Sequence, residues 1–124
     1  MAKVEFYRCN VCKNMVALIH NGGGTLSCCG QNMIKLEANT TDAAQEKHVP
    51  VVTKENGKIK VAVGSTLHPM QPEHHIEWIA LFSGDKVEFK FLEPGAEPKA
   101  EFDEIASGTV YEYCNLHGLW KADF

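Results

Sequence analysis

Two groups of side chains in this sequence stand out as candidate metal ligands. Cys9, Cys12, Cys28 and Cys29 crowd into one short stretch, while His48, His68, His74, Cys114 and His117 are spread over the rest of the chain. A Cys-x-x-Cys turn presents two thiolates to one side of a metal, and a second cysteine pair completes a tetrahedron. Here the second pair is adjacent, so its two ligands cannot share one relaxed geometry, and a distorted tetrahedron is expected. Zinc and iron both accept four thiolates, so the spacing leaves the metal open between a structural zinc and a redox iron.

The second group is chemically different. Cys114-Asn115-Leu116-His117-Gly118 sets a thiolate and an imidazole three residues apart at the end of a predicted strand. His68-Pro69-Met70 and Glu73-His74-His75 fall in a connecting loop, and His48 is expected to begin the first strand of the following domain. Five such groups near strand ends that can converge point to one mononuclear site. Nitrogen-rich ligation with a single thiolate does not suit magnesium or calcium, and structural zinc prefers four ligands. Electron-transfer copper, with two histidines and a cysteine, is the rival. Such sites commonly follow the last histidine with an axial methionine, whereas His117 is followed by Gly118-Leu119-Trp120-Lys121. Iron with four imidazoles and one thiolate accounts for more residues and leaves one position open. Alternation puts His74 and His75 on opposite faces, so only one of them is expected to bind, and periodicity does not say which.

The elements that must hold these groups are mostly strands. Val4–Arg8 reads as a short strand, and Met15–Ile19 as a second one ending at Asn21-Gly22-Gly23-Gly24, a strong turn signal. So small a segment cannot bury a core by itself, and a metal is expected to nucleate it. A polar linker, Ala38 to Gln45, follows, with Asp42 and Gln45 spaced like a helix cap and its return partner. From there the period is two. Ile59, Val61 and Val63 follow an Asn56-Gly57 turn, Ile76–Phe82 alternate, Val87, Phe89 and Phe91 follow Gly84-Asp85, and Ala100–Phe102 and Val110–Cys114 come last. This spacing predicts an antiparallel β-sandwich.

At 124 residues the chain is one ordinary domain, or a very small domain joined to a modest one, with 44% hydrophobic residues to form a core. The formal charge of −4 gives no basic footprint for nucleic acid or an anionic membrane. No apolar run reaches membrane-spanning length, and Met1-Ala2-Lys3-Val4-Glu5 lacks the apolar stretch of a signal peptide. Five cysteines, an odd number, mostly clustered, fit metal ligation in a reducing cytoplasm better than a disulfide scaffold.

Five motifs in order carry a resemblance. They are Cys9-x-x-Cys12 with Cys28-Cys29, Glu46-Lys47-His48-Val49-Pro50, His68-Pro69-Met70, His74 before Ile76-Glu77-Trp78-Ile79, and Cys114-Asn115-x-His117-Gly118. Over essentially its whole length the sequence resembles the desulfoferrodoxins, two-iron superoxide reductases. The resemblance implies a desulforedoxin-like knuckle over residues 1–37 with iron on Cys9, Cys12, Cys28 and Cys29. It implies an immunoglobulin-like antiparallel β-sandwich over 38–124, with iron on His48, His68, His74 and His117 and an axial thiolate from Cys114. It selects His74 over His75. It implies reduction of superoxide to hydrogen peroxide, an external donor such as rubredoxin, and a homodimer. One departure is Lys13, where the family usually has glycine.

Two further residues gain roles from the resemblance. Lys47 is a cation beside the open face, placed to attract the anion and order a proton-donating water. Glu46 is a candidate sixth ligand to ferric iron once peroxide leaves. The alternatives are a metal-containing electron carrier without a substrate and a zinc-stapled β-sandwich that binds a partner.

Overall fold

The computed structural model describes residues 4–124. Met1, Ala2 and Lys3, the start of the N-terminal stretch read above, lie outside the described residues. The chain forms two compact units that divide between Glu37 and Ala38.

The first unit is a set of short antiparallel strands. β1 (Glu5–Arg8) lies between β2 (Met15–Leu18) and β5 (Ile34–Leu36), while β3 (Ser27–Cys28) and β4 (Gln31–Asn32) form a separate two-stranded ribbon. Among the described residues of this unit, only Phe6 and Cys9 are buried. One buried phenylalanine is worth about 1.5–3 kcal/mol, far below the ordering entropy of some thirty residues. The unit therefore has no core of its own.

The second unit is a sandwich of seven antiparallel strands. One sheet has the order β10 (Lys99–Asp103), β7 (Lys58–Val63), β6 (Pro50–Glu55). The other runs β12 (Gly118–Asp123), β11 (Thr109–Cys114), β8 (Ile76–Ser83), β9 (Lys86–Phe91). Asn56 and Gly57 both take positive φ, 52° and 75°, and close the two-residue hairpin between β6 and β7. That is the turn an Asn-Gly pair favours. The core joins Ile59, Val61, Val63 and Phe102 of one sheet to Ile76, Ile79, Leu81, Val110 and Cys114 of the other.

Two local expectations change. His48 closes a four-residue helix, α1 (Gln45–His48), and the strand begins only at Pro50. Proline disfavours the helical region for the residue before it, so Val49 is extended (φ −67°, ψ 122°) and the helix ends there. Asp42 is not the cap, because the helix starts three residues later. Ala44 occupies the cap position and makes no side-chain cap bond.

Candidate metal centres

In the first unit a tight turn follows β1. The Cys9 N–H donates to the Asn14 carbonyl (2.8 Å), and the Lys13 N–H donates to the Cys9 carbonyl (3.0 Å). The turn aims amides at sulfur: Val11 and Cys12 N–H each lie 3.4 Å from Cys9 Sγ, and Asn14 N–H lies 3.5 Å from Cys12 Sγ. The adjacent pair is accommodated by changing backbone conformation between its members. Cys28 ends β3, and Cys29 begins a two-residue turn at φ 53°, followed by Gly30 at φ 73°. Cys12 Sγ then stands 3.6 Å from Cys28 Sγ, which is 3.9 Å from Cys29 Sγ. Four sulfurs about 2.3 Å from a central ion would form a tetrahedron with edges of about 3.8 Å. All four sulfurs lie within 4.8 Å of one another, and none is in a disulfide.

Electrostatics in this cluster also call for a cation. Backbone N–H groups of Cys12 and Val11 hold the Cys9 thiol down to about 6. Contact with Cys12 pushes Cys28 and Cys29 up instead. Four thiolates so close cannot ionise together unless a positive ion joins them. Lys13 takes φ 68°, a backbone conformation rare for a residue with a Cβ, and its ammonium folds back onto the Asn10 carbonyl (2.9 Å).

In the second unit the five predicted side chains converge, with donor atoms within 4.8 Å of one another. The imidazoles form a closed ring in the order His48, His68, His74, His117, with neighbouring centroids 4.6, 4.6, 5.0 and 4.9 Å apart. Neighbouring planes cross at 75–86°, whereas His48 and His74, opposite each other, are 6.4 Å apart and only 29° from parallel. His48 Nε2 is 3.1 Å from both His68 Nε2 and His117 Nδ1. Cys114 Sγ approaches two opposite members of the ring, His68 (3.4 Å) and His117 (4.0 Å). A square of nitrogens about 2.1 Å from a central ion has edges of about 3.0 Å, matching the observed spacing.

Proton positions favour ligation. His48 Nδ1 faces the Ala44 carbonyl (2.8 Å), and His68 Nδ1 faces the Pro69 carbonyl (2.7 Å). A carbonyl only accepts, so each Nδ1 carries the proton and each Nε2 offers a lone pair inward. His74 Nε2 is buried with no hydrogen-bond partner, an expensive arrangement unless an ion fills the ring. Burial depresses His68 to about 4 and lowers His48 and His74, keeping these rings neutral. The Lys47 charge adds a smaller push in the same direction on His48 and His74. Burial raises the Cys114 thiol, partly offset by the backbone N–H groups of His117 and Leu116. A bound cation reverses that balance.

His75 lies outside the ring, its Nδ1 3.1 Å from the Gln71 carbonyl. The selection of His74 comes from a register shift. Tyr113 of β11 pairs with Trp78, but Cys114 pairs with Ile76, so Glu77 is passed over. Ile76 thereby joins Ile79 and Leu81 in the core, and His74, two residues earlier, shares its side. Glu46 and Lys47 are both exposed on α1.

Two positioning residues escaped the sequence reading. Asn115 accepts from His75 N–H (2.9 Å) and donates to the Glu73 carbonyl (3.0 Å), bracketing His74 on both sides. Trp120 donates to the His117 carbonyl (3.0 Å) and lays its ring on His48, 4.9 Å away at 25°. Only alternation along β12 hinted at an inward Trp120. Glu112 is fully enclosed, and neither carboxylate oxygen has a partner among the described residues.

Comparison with known proteins adds to this geometry. The model of the desulfoferrodoxin family matches residues 40–123, and that of the desulfoferrodoxin N-terminal domain matches residues 2–36. A desulfoferrodoxin of Clostridium acetobutylicum is 57% identical over 108 residues, covering 87% of this chain and 86% of its own. A superoxide reductase of Pyrococcus horikoshii is 39% identical, covering 72% of this chain and 95% of its own. The crystal structure of the superoxide reductase from Treponema pallidum superposes with a TM-score of 0.77 at 32% identity. That match covers 97% of this chain and 98% of the other.

Proposed function

This chain belongs to the desulfoferrodoxin family, and from that membership we propose that it is a superoxide reductase. The reaction takes superoxide, one electron and two protons to hydrogen peroxide, with no release of dioxygen. The observation that carries this reading is the ring of four imidazoles, His48, His68, His74 and His117, with the Cys114 sulfur set against it.

His48, His68, His74, His117 and Cys114 would hold one iron, and Cys9, Cys12, Cys28 and Cys29 a second. Iron held there would supply the single electron that reduces a small anion. The chain's own residues do the rest. The carbonyls of Ala44 and Pro69 fix the tautomers of His48 and His68, and the N–H groups of His117 and Leu116 favour the anionic form of the Cys114 sulfur. Lys47 supplies positive charge at the open face and orders a proton-donating water, on a protein of net charge −4 that otherwise repels anions. Glu46, beside it, would offer its carboxylate as a further ligand to the oxidised iron.

Residues 1–37 and 38–124 are proposed as the two domains, the first relaying electrons from an external donor such as rubredoxin. A homodimer and a cytoplasmic setting complete the reading. No helix among the described residues is long and apolar enough to cross a membrane. Iron analysis paired with superoxide consumption is the test. Iron at both centres and one peroxide formed per superoxide, with no dioxygen, are expected; copper or zinc alone, or dioxygen release, overturns the proposal.

A further inference from the structure

Helix α1 is too short to satisfy its own carbonyls, and the destination of the Glu46 carbonyl is informative. It accepts two bonds from a distant turn, one from the Thr66 N–H (2.9 Å) and one from the Ser65 hydroxyl (3.2 Å). Beneath it lies Gly64, which is buried. A Cβ on Gly64 would stand 2.6 Å from the Glu46 oxygen, 3.0 Å from the Val49 oxygen and 3.1 Å from the Lys47 carbonyl carbon. All three are backbone atoms, so the segment from Glu46 to Val49 rests directly on the glycine. The turn is itself anchored. The Gly64 N–H reaches the Thr66 carbonyl (3.3 Å), the His68 N–H reaches the Val63 carbonyl (2.8 Å), and Val63 pairs with Pro50.

We propose that Gly64, Ser65 and Thr66 are positioning residues for Glu46 and Lys47, holding the backbone that carries both charged groups at the open face of the histidine ring. The inference rests on the roles given to Glu46 and Lys47 above. Two donors on one carbonyl mean that the Glu46 peptide cannot turn without losing both bonds. A missing Cβ lets the two backbones meet closely enough for those bonds to form. The same turn leads into His68, so the segment carrying Lys47 is registered against two members of the ring at once.

The test uses the iron-loaded full chain with Ser65→Ala, Gly64→Ala, Lys47→Ala and the Lys47→Ala/Gly64→Ala double variant. The readouts are iron content, the ferric spectrum, the bimolecular rate with superoxide and the salt dependence of that rate. Gly64→Ala should keep its second iron but react about two- to tenfold more slowly, with a flatter salt dependence, and Ser65→Ala should show a smaller change in the same sense. The double variant should be no slower than Lys47→Ala alone, because the turn acts through that lysine. Ferric spectra of Gly64→Ala should shift as Glu46 is displaced. If Gly64→Ala fails to load iron, Ser65→Ala decides, since it removes one bond and adds no atoms. Parental rate, salt dependence and spectrum in the iron-loaded Ser65 and Gly64 variants, with Lys47→Ala slowed, overturn the positioning role and leave the role of Lys47 standing. A parental rate in Lys47→Ala itself overturns both.

Discussion

Replacing Glu112 with leucine tests whether a buried acid two residues from Cys114 is a net cost to the sandwich. The side chain is fully enclosed, on the side of β11 shared by Val110 and Cys114, opposite Ile79 and Trp120. With no partner for either oxygen among the described residues, burial costs about 1–3 kcal/mol, which leucine of similar size would remove. For a domain of this length, each kcal/mol moves the melting temperature by about 4–8 °C. The iron-loaded leucine variant should therefore melt at least about 4 °C above the parent in a circular-dichroism scan. A pH series sharpens the test. Burial pushes the Glu112 carboxyl well above its ordinary range. At neutral pH the folded chain keeps a proton that the unfolded chain has released. The unfolded state then binds fewer protons, so this residue lowers stability progressively as pH rises above about 4.5. Leucine lacks that penalty, and its margin over the parent should widen from about pH 5 to about pH 8. An iron-replete leucine variant that melts at or below the parent across this range would refute the reasoning.

Three other outcomes are expected. Cys114→Ser should abolish the thiolate-to-iron absorption of the second centre and most superoxide reduction, as read by visible spectroscopy and stopped-flow. Replacing Cys9 and Cys12 together with serine should leave residues 4–37 unfolded, since Phe6 is the only other buried side chain there, while superoxide reduction with a chemical donor persists; loss of the second iron as well would mean the two units fold together. Asn115→Ala removes both bonds that bracket His74 and should lower affinity for the second iron by about 10- to 100-fold in a chelator competition, whereas unchanged affinity would make Asn115 incidental.

Much of the ligand set could be seen in the sequence because metal ligands advertise themselves by type. Clustered cysteines and surplus histidines have few other uses in a short chain, and strand alternation placed their backbones at sheet ends. What stayed hidden is non-local. Asn115 meets Glu73 and His75 across some forty positions, and Trp120 covers His48 from the far end of the chain. Backbone carbonyls such as those of Ala44 and Pro69 have no identity to read. The Val-Pro-Val-Val that follows His48 reads as a strand, yet the Pro50 that starts the strand also ends a helix two residues earlier.

The passed-over Glu77 shows how the choice between His74 and His75 is encoded. Pairing in a sheet works as a two-beat rhythm, and the bulge at Glu77 drops one beat. Counted back from Leu81 and Ile79 without it, the inward residues would be Glu77 and His75, and Ile76 would leave the core. The imidazole offered to the ring is thus decided downstream of either histidine, by how the strand is paired. Extra residue and bulge also cancel each other: a strand without Glu77, regularly paired, would still turn Ile76 and His74 inward. Strand length at this point can vary by one while the ligand stays the same, and an alignment guided by alternation alone would choose the wrong histidine.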